Sequence, residues 1–567
     1  MMANCQFESW LLNNGQTTVG VSKTAKNPYD ETMNPEPHPS FLRKWLPLGV
    51  LVLGLLIIVI DSSVLNVSIG PIVRDLNISL TQIQWVISAY SLVLGSLLIT
   101  GGRLGDVFGR KKMFLLGVII FAIGSVLASY STSFTSLLAG ESILEGFGAA
   151  LIMPATSSLL VASYTGRDRA IAYGFWGSTA ALGLAIGPLL GGYFATHYNW
   201  RWSFRINLFV GLALFLGSRI LPQDKDFKDH HRFDWLGVIL SAAGVFTVMF
   251  ALIEASTYGV LHEKAAFIVA GHALHFFGYS LMPVIGLLGL AILAVFMLYE
   301  SRREKQGLPL LVSPHLFQKR QYTAGAISYG IFAFVQISLM FILAIFFQTV
   351  VGLDSLHAGY VYLPLAGALL VSAPLAASLS TKISPRLLIQ VGFVLQLFQA
   401  VYIYLILHST TTVEATIVPM VIAGIGLGLL TSQLYNLSLS AVPAADAGEA
   451  SGIMQMLGQI GKSVGIAVTG VVILTVSSSH FKRAVQVDPR LSQPEQQQAL
   501  ALSEGQASSL EFSPLQLPGN ATDTVVVKDI ENQAVVDGNK DAFILIVCFA
   551  VLGLMASGFL PKKKVQQ

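Results

Sequence analysis

One acidic residue, Asp61, lies deep within the first long apolar segment of the chain, residues 48–71. If that segment crosses a membrane, a carboxylate near its centre costs about 2.5–3.5 kcal/mol on an insertion scale, so such a residue usually faces the protein interior and has a function. A buried carboxyl group can bind and release protons near neutral pH. We therefore predict that Asp61 is a proton-coupling residue. The structural alternative is that it only ties helices together through Ser62, Ser63 or Asn66.

Two further acidic residues, Glu141 and Glu145, are four positions apart in another apolar segment, which places them on one face of a helix. We predict that Glu145 is a second proton-coupling residue. For Glu141 we favour a solvated position near the outer surface, and the alternative is a charge that lines a water-filled cavity. Lys462 is a cation within a later apolar segment. We expect it to be a cavity charge, to pair with a buried acid, or to snorkel to the membrane surface.

Other chemistries have little support in the sequence. Cys5 and Cys548 lie at opposite ends of the chain, which predicts neither a disulfide framework nor a metal site. His272 and His275 have no third ligand nearby, so we expect no zinc. The stretch GQIGKS fails as a phosphate-binding loop because a methionine stands where that loop requires a glycine. We find no paired nucleophile and base, and we therefore expect a protein that is not an enzyme and binds no metal, nucleotide or cofactor.

The composition places these residues in a membrane. Of the 567 residues, 53% are hydrophobic and 11% are charged, whereas a soluble chain usually has about 25% charged residues. Apolar stretches of about 20 residues recur along the chain, each long enough to cross the bilayer. The net charge of +3, without a long basic run, excludes nucleic acid as a partner. The partners that we expect are the lipid bilayer, a small-molecule substrate and protons, with the protein as a monomer.

The sequence predicts an all-α integral membrane protein with about fourteen transmembrane helices. The predicted spans are 46–67, 82–101, 113–131, 137–157, 171–194, 205–221, 235–256, 280–299, 325–349, 357–379, 387–408, 415–440, 453–477 and 541–560. Basic residues concentrate in alternate loops, which predicts that both termini are cytoplasmic and that the number of spans is even. Residues 265–300 are long enough for two spans, and an even count requires one. We expect a multi-pass protein of the plasma membrane.

The hairpin after the second helix, GGRLGDVFGRKKMFLLG, is weakly similar to a segment after the tenth, AASLSTKISPRLLIQVG. Both are short and basic. Six helices, two inserted helices and six more would give this spacing, with a site between two pseudo-twofold halves. The predicted divisions are a polar cytoplasmic tail (1–44), a six-helix bundle (45–222), two inserted helices with linking loops (223–322), a second six-helix bundle (323–560) that includes an extracytoplasmic loop (478–540), and a basic cytoplasmic tail (561–567).

The first of these hairpins combines glycines with opposite charges. The glycines allow the second and third helices to turn tightly and to approach each other closely. The charges lie at the inner edge of the membrane, where they can pair and re-pair as the protein changes conformation. We predict a gating loop that consists of Gly102, Arg103, Gly105, Asp106, Gly109 and Arg110.

This hairpin resembles the loop 2–3 signature of the major facilitator superfamily. Other motifs resemble those of its fourteen-helix drug:proton antiporter branch, the EmrB/QacA type. DSSVLNVSIGPI resembles the first-helix motif, GLAIGPLLGGY the antiporter motif of the fifth helix, and NWRWSFRINLFVG the junction of helices five and six. In the antiporter motif the glycines permit close helix contact and the proline bends the helix. The residues concerned are Gly183, Gly187, Pro188, Gly191 and Gly192 in the antiporter motif, and Trp200, Arg201, Trp202 and Asn207 at the junction.

The resemblance implies a proton-coupled secondary transporter that exports hydrophobic, cationic small molecules, as a multidrug efflux protein does, with a proton gradient in place of a cofactor. The fourth helix departs from the family pattern, because Ser142 stands where members carry arginine and Glu145 where they carry glutamine. One alternative is proton-coupled transport of an endogenous metabolite such as an amino acid, a siderophore or a lipid. Another is a transporter-like sensor, which we would expect to carry a structured cytoplasmic domain.

Overall fold

The computed structural model describes residues 41–223, 233–265, 267–269, 272–274, 278–353, 355–509 and 521–561. The chain divides between Trp45 and Leu46 into two units. Of the first unit the structure describes residues 41–45, which begin the first helix, and the second unit contains the helix bundle. The predicted tails, 1–44 and 561–567, therefore lie almost entirely outside the described residues.

The regular secondary structure of the described residues is helical apart from one small hairpin and an isolated bridge between His262 and Tyr279. The helices up to residue 258 are α1 (Phe41–Leu76), α2 (Leu80–Phe108), α3 (Arg110–Ser129), α4 (Phe134–Leu137), a π-helical segment (Leu138–Glu145), α5 (Gly146–Ser163), α6 (Gly166–His197), α7 (Trp202–Gly217) and α8 (Trp235–Tyr258). The antiparallel strands β1 (Phe267–Val269) and β2 (His272–Leu274) form the hairpin. The later helices are α9 (Met282–Lys305), α10 (His315–Gln318), α11 (Arg320–Thr349), α12 (Ser355–Tyr360), α13 (Leu363–Leu379), α14 (Pro385–Ile406), α15 (Ile417–Leu439), α16 (Ala447–Val487), α17 (Gln493–Ser509) and α18 (Ala521–Ser557). Short 3-10 helices cover Ser218–Ile220, Glu414–Thr416 and Ala444–Asp446.

Local sequence explains several helix ends. Ser79 and Gln82 form a capping box that satisfies free backbone N–H groups at the start of α2. Ser133 caps α4 in the same way, so the fourth span begins at Phe134, three residues earlier than its hydropathy predicts. Gly109 separates α2 from α3 with a φ of 107°, a conformation that side chains with a Cβ rarely adopt.

Thirteen segments of the described chain are long and apolar enough to cross a membrane. Helix α6, with 32 residues, is a further long helix outside those thirteen, and the side chains of several of its residues lie outside the described set. Within residues 265–300 the described part contains one such span, α9, after the hairpin. The predicted helical membrane fold is confirmed, and the count of fourteen stays a prediction that requires α6 to cross as well.

The predicted extracytoplasmic loop, 478–540, is largely helical. Helix α16 continues to Val487, α17 lies entirely within the predicted loop, and α18 begins at Ala521, twenty residues before the predicted span. Apolar residues at helical spacing give these polar extensions a small core of their own, which consists of Phe481, Val485, Leu491, Ala499, Val527, Ile530 and Ala534. The segment was predicted as a loop because a hydropathy criterion detects only the apolar part of a helix.

The helices α8 and α9, predicted as an inserted pair, pack mainly against each other, and α8 also contacts α2 and α16. Charged side chains join the pair at one end: Arg303 lies 3.3 Å from Asp234, and Tyr299 donates to Asp234 at 2.9 Å. The fully buried Glu300 accepts a hydrogen bond from the backbone N–H of Leu311 at 3.3 Å. The division of the chain into two six-helix halves around this pair stays a prediction.

Reporter fusions test the predicted orientation. A reporter fused after Lys564 and one inserted within residues 510–519 are expected to lie on opposite sides of the membrane, with the first in the cytoplasm, because basic residues stay on the inner side. A reporter within residues 224–232 is the control and should share the side of the first. If all three are accessible from one side, the fourteen-span topology is wrong.

Candidate functional site

Helices α1 and α6 approach each other closely beside Asp61. Three glycines of α6 make this contact: Gly183 against Val59, Gly187 against Ser63, and Gly191 against Val64. A methyl group at Gly187 would overlap the hydroxyl oxygen of Ser63, and that hydroxyl donates to the carbonyl of Gly183 at 3.1 Å. Small residues at intervals of four thus allow two backbones to meet, as in other membrane helix pairs. The side chains of Pro188 and Gly192 lie outside the described set, so the predicted bend at Pro188 stays a prediction.

Three acidic residues meet inside the bundle. Asp61 comes from α1, and Glu141 and Glu145 come from the π-helical segment of the fourth span. All three are buried, and one carboxylate oxygen of each lies within 4.8 Å of one oxygen of each of the others. A π-helical segment is rare and often marks a functional site. We call this group the acid cluster.

Asn207 holds one member of the acid cluster in place. Its side-chain amide donates to Oδ1 of Asp61 at 2.6 Å and to the hydroxyl of Ser125 at 3.1 Å. Oδ2 of Asp61 and both oxygens of Glu145 have no hydrogen-bond partner among the described residues. The hydroxyl of Ser63 donates to the backbone carbonyls of Val59, Ile60 and Gly183 and not to Asp61. The alternative tie through Ser62 or Asn66 stays open, since the side chain of Asn66 lies outside the described residues.

Close packing of α3 brings the π-helical segment to this position. A Cβ at Gly124 of α3 would meet Cγ of Glu145 at 2.7 Å and the carbonyl oxygen of Gly140 at 2.7 Å. The neighbouring Ser142 is fully buried and donates to the carbonyl of Val86 at 2.7 Å. This position, which carries arginine in family members, therefore supplies the acid cluster with no cation.

Three ionised carboxylates at this spacing repel one another strongly. Two unit charges 4.8 Å apart repel by about 3.5 kcal/mol at an effective dielectric constant near 20. The arrangement therefore favours states in which the acid cluster holds protons or a cation. Three oxygen ligands at this spacing would also suit a metal ion, so the expectation of no metal stays a prediction. The side chain of His272 and all of His275 lie outside the described residues.

A cavity of about 440 Å³ adjoins the acid cluster. Its walls are mostly apolar and include Ile58, Val59, Met153, Met249, Ile337 and Met340. The polar residues that line it include Glu141, Lys462, Gln336, Gln459 and Tyr90. A concave apolar site with a few polar groups is typical of small-molecule binding.

Glu141 does not lie at the solvated outer surface, where the sequence favours placing it. It is fully buried, its two carboxylate oxygens have no hydrogen-bond partner among the described residues, and it lines the cavity. The reason is that the helix begins at Phe134, about two turns before Glu141. Glu141 thus belongs both to the acid cluster and to the cavity wall. Its position agrees with the alternative hypothesis that it is a charge lining the cavity.

The predicted gating loop contacts the start of α16. Asp106 pairs with Arg110 at 2.9 Å, and its two oxygens accept the backbone N–H groups of Gly448 at 3.0 Å and Glu449 at 2.7 Å. Arg110 also donates to the carbonyl of Ala444. Asp106 therefore caps the N-terminus of a helix that lies more than three hundred residues away in sequence, where free N–H groups favour a negative charge.

A second ion pair lies beside the first. Arg103 donates to the carboxylate of Glu449 at 3.3 Å, and the hydroxyl of Ser313 donates to the same carboxylate at 3.2 Å. Gly102 lets the backbones of α2 and α16 meet, because a Cβ there would overlap the carbonyl of Gly448. Glu449 is absent from the residues predicted from the sequence, although it is an acid among small residues at the start of an apolar segment.

The junction of helices five and six lies mostly away from the cavity. The indole of Trp200 donates to Asp75 at 3.0 Å, and Arg201 pairs with Asp75 and donates to the carbonyl of Ser131 at 2.8 Å. The pKa of Asp75 lies below its usual value of 3.8, mainly because Arg201 donates a hydrogen bond to its carboxylate. Trp202 is partly exposed. Of the four predicted junction residues, Asn207 is the one that reaches the acid cluster.

The fold defines a polytopic helical membrane protein with a cavity of the size that binds small molecules. The chain belongs to the major facilitator superfamily, because the sequence model of that family matches residues 51–466. It is 30% identical over 458 residues to the probable actinorhodin transporter of Streptomyces coelicolor, which covers 79% of this chain and 75% of that protein. It is 29% identical over 470 residues to the multidrug efflux pump LfrA of Mycolicibacterium smegmatis, over 82% of this chain and 87% of that protein. Among solved structures, the proton:xylose symporter XylE has a similar fold, with a TM-score of 0.55, 13% identity, and coverage of 92% of this chain and 96% of that one.

Proposed function

We propose that the protein is a proton-coupled exporter of hydrophobic small molecules that carry a cationic group, in the fourteen-helix drug:proton antiporter branch of its superfamily. The names of the two relatives, a probable actinorhodin transporter and a multidrug efflux pump, support export of drug-like molecules. We further propose that it is a monomer in the cell membrane with both termini in the cytoplasm. It would carry out no covalent chemistry and need no cofactor beyond the proton gradient.

One observation carries the proposal: the acid cluster opens onto a largely apolar cavity through Glu141. The apolar walls suit a hydrophobic substrate, and a carboxylate on the wall suits a cationic group on that substrate. The three carboxylates lie so close together that they act as one site. Protons bound to Asp61, Glu141 or Glu145 would therefore neutralise the negative charge that attracts a cationic substrate. Protons and substrate would therefore occupy the site alternately, which is the requirement for antiport.

The contacts between α2 and α16 suggest which side of the protein is closed. The pairs Asp106–Arg110 and Arg103–Glu449 lie at the end of the bundle that carries the basic hairpin. In the proposed orientation this end is cytoplasmic, so the structure is closed towards the cytoplasm. Protons would enter the acid cluster from outside in this state, and breaking the α2–α16 contacts would open the cavity to the cytoplasm.

The available driving force is sufficient for export. One proton that crosses a potential of 100 mV releases about 2.3 kcal/mol. This free energy corresponds to a gradient of roughly 50-fold, and a cationic substrate gains it when each cycle exchanges one more proton than the charge on the substrate. The chain would therefore not require ATP hydrolysis.

Dye export by energised inside-out vesicles tests the proposal. Vesicles that contain the protein are expected to accumulate ethidium when a respiratory substrate is supplied, and an uncoupler should release the dye, because only the proton gradient drives uptake. Vesicles without the protein provide the background. Accumulation that survives the uncoupler but requires ATP, or no accumulation above background for ethidium or for the rhodamine 123 cation, would contradict the proposed function.

A further inference from the structure

The cavity carries two opposite charges that do not neutralise each other. Glu141 lines it from the fourth span and Lys462 from α16. Among the described residues, the structure records no hydrogen bond and no ion pair for Lys462, and no hydrogen-bond partner for the carboxylate of Glu141. An unpaired charge in a mostly apolar cavity is costly unless a ligand, water or an ion satisfies it.

The position of Lys462 follows from the spacing of residues on α16. Gln459, Lys462, Ser463 and Ile466 all line the cavity, and their spacing of three and four residues places them on one helix face. Lys462 is half-buried on this face. Of the three expectations for Lys462, the described contacts agree with a cavity charge and show no pairing with a buried acid.

We propose that Lys462 makes the cavity selective for bipolar molecules. Such a molecule is hydrophobic, has a protonated amine or similar cation that contacts Glu141, and has a carboxylate or other anionic group that contacts Lys462. The inference rests on the proposed function for the direction of transport, and it narrows the substrate class from simple cations to zwitterionic amphiphiles. Two charged contacts from different helices would also orient the substrate within the cavity.

Two dyes that differ in one group test this inference. Rhodamine 110 has a free carboxylate beside its cationic ring system, and rhodamine 123 is its methyl ester and therefore a simple cation. Their binding to the purified full-length protein in detergent is measured by fluorescence anisotropy. Because this measurement needs no proton gradient, its result is independent of whether the protein couples transport to protons.

The wild-type protein is expected to bind rhodamine 110 more tightly than rhodamine 123. Lys462→Gln should weaken the binding of rhodamine 110 by about tenfold or more, since it removes a charged hydrogen bond, and should leave rhodamine 123 within about twofold of its wild-type affinity. Lys462→Arg keeps the positive charge and should retain the preference for the acid. Lys382→Gln, which removes an exposed lysine that does not line the cavity, is the matched control and should change neither affinity.

Several results would overturn the inference. A wild-type protein that binds the ester more tightly than the acid, or binds neither dye, has no bipolar site of this kind. An equal loss for both dyes in Lys462→Gln would mean that Lys462 supports the fold or the acid cluster and not the substrate anion. If the wild-type protein shows the dye preference but no proton-driven export, the proposed function is contradicted and the inference about Lys462 is not.

Discussion

Replacing Asp61 by asparagine is expected to abolish proton-driven export while the protein still folds and binds substrate. Asparagine has nearly the same shape as aspartate, and its side-chain oxygen can still accept the hydrogen bond from Asn207 that Asp61 accepts at 2.6 Å. It cannot bind or release a proton. We expect dye accumulation in energised vesicles to fall to the background of vesicles without the protein, and dye binding in detergent to remain.

A matched control separates this effect from the removal of any buried carboxylate. Glu300→Gln removes a carboxylate that is also fully buried but lies in α9, outside the cavity lining. Its oxygen would still accept the N–H of Leu311, so export should continue at a rate close to that of the wild type. Undiminished uphill export by Asp61→Asn would refute the role of Asp61. Glu145→Gln would then be the decisive variant, because Glu145 is the other buried acid proposed to carry protons.

Asp106→Asn is expected to produce a folded protein that transports very slowly. The buried carboxylate of Asp106 pairs with Arg110 and caps α16 through Gly448 and Glu449. Removing one partner of a buried ion pair costs about 3–5 kcal/mol. The two hydrogen bonds that Asp106 accepts from Gly448 and Glu449 join α2 to α16, and in the proposed cycle they exist only while this end is closed. Hydrogen bonds to a charged group contribute about 1.5–3 kcal/mol each, so a loss of about 3 kcal/mol in these contacts would shift the ratio of closed to open states by roughly 100-fold.

Asp75→Asn is the control for this second variant. Asp75 pairs with Arg201, but its side chain is 42% exposed, and exposed ion pairs contribute about 0–1 kcal/mol. The control should therefore transport at close to the wild-type rate. Accessibility of a cysteine placed at Ser451 on α16, measured from the cytoplasmic side, should rise in Asp106→Asn and not in Asp75→Asn. Normal transport by Asp106→Asn would mean that the charges of the gating loop only determine topology.

The sequence predicts the helices and the local motifs well, because both depend on neighbouring residues. Apolar stretches locate the spans, and the glycine spacing around Gly187 correctly indicates a close helix contact. The hydropathy pattern misses the polar ends of α16 and α18, since these helices continue beyond their apolar parts. It also places Glu141 too near the surface, because the start of its helix is determined by the capping box at Ser133.

The contacts that assemble the site join residues that are far apart in sequence. Asn207 was assigned to the junction motif, but nothing in the motif indicates that its amide reaches Asp61, 146 residues earlier. The partner of Arg103 is Glu449, 346 residues away. Tyr90, which lines the cavity with a buried hydroxyl, has no recognisable signal in the sequence at all. Such pairings follow from how the helices pack against one another. Local sequence patterns do not specify that packing.

Substrate and protons exchange at the acid cluster in the proposed transport cycle. The direct measurement is the proton release that accompanies substrate binding, recorded with a pH indicator when saturating rhodamine 123 is added to the purified protein in weakly buffered detergent solution near neutral pH. We predict that the wild-type protein releases protons as the dye binds and that Asp61→Asn releases fewer or none at the same occupancy. Binding of the dye to the wild-type protein without proton release, or equal release by both proteins, would contradict the claim.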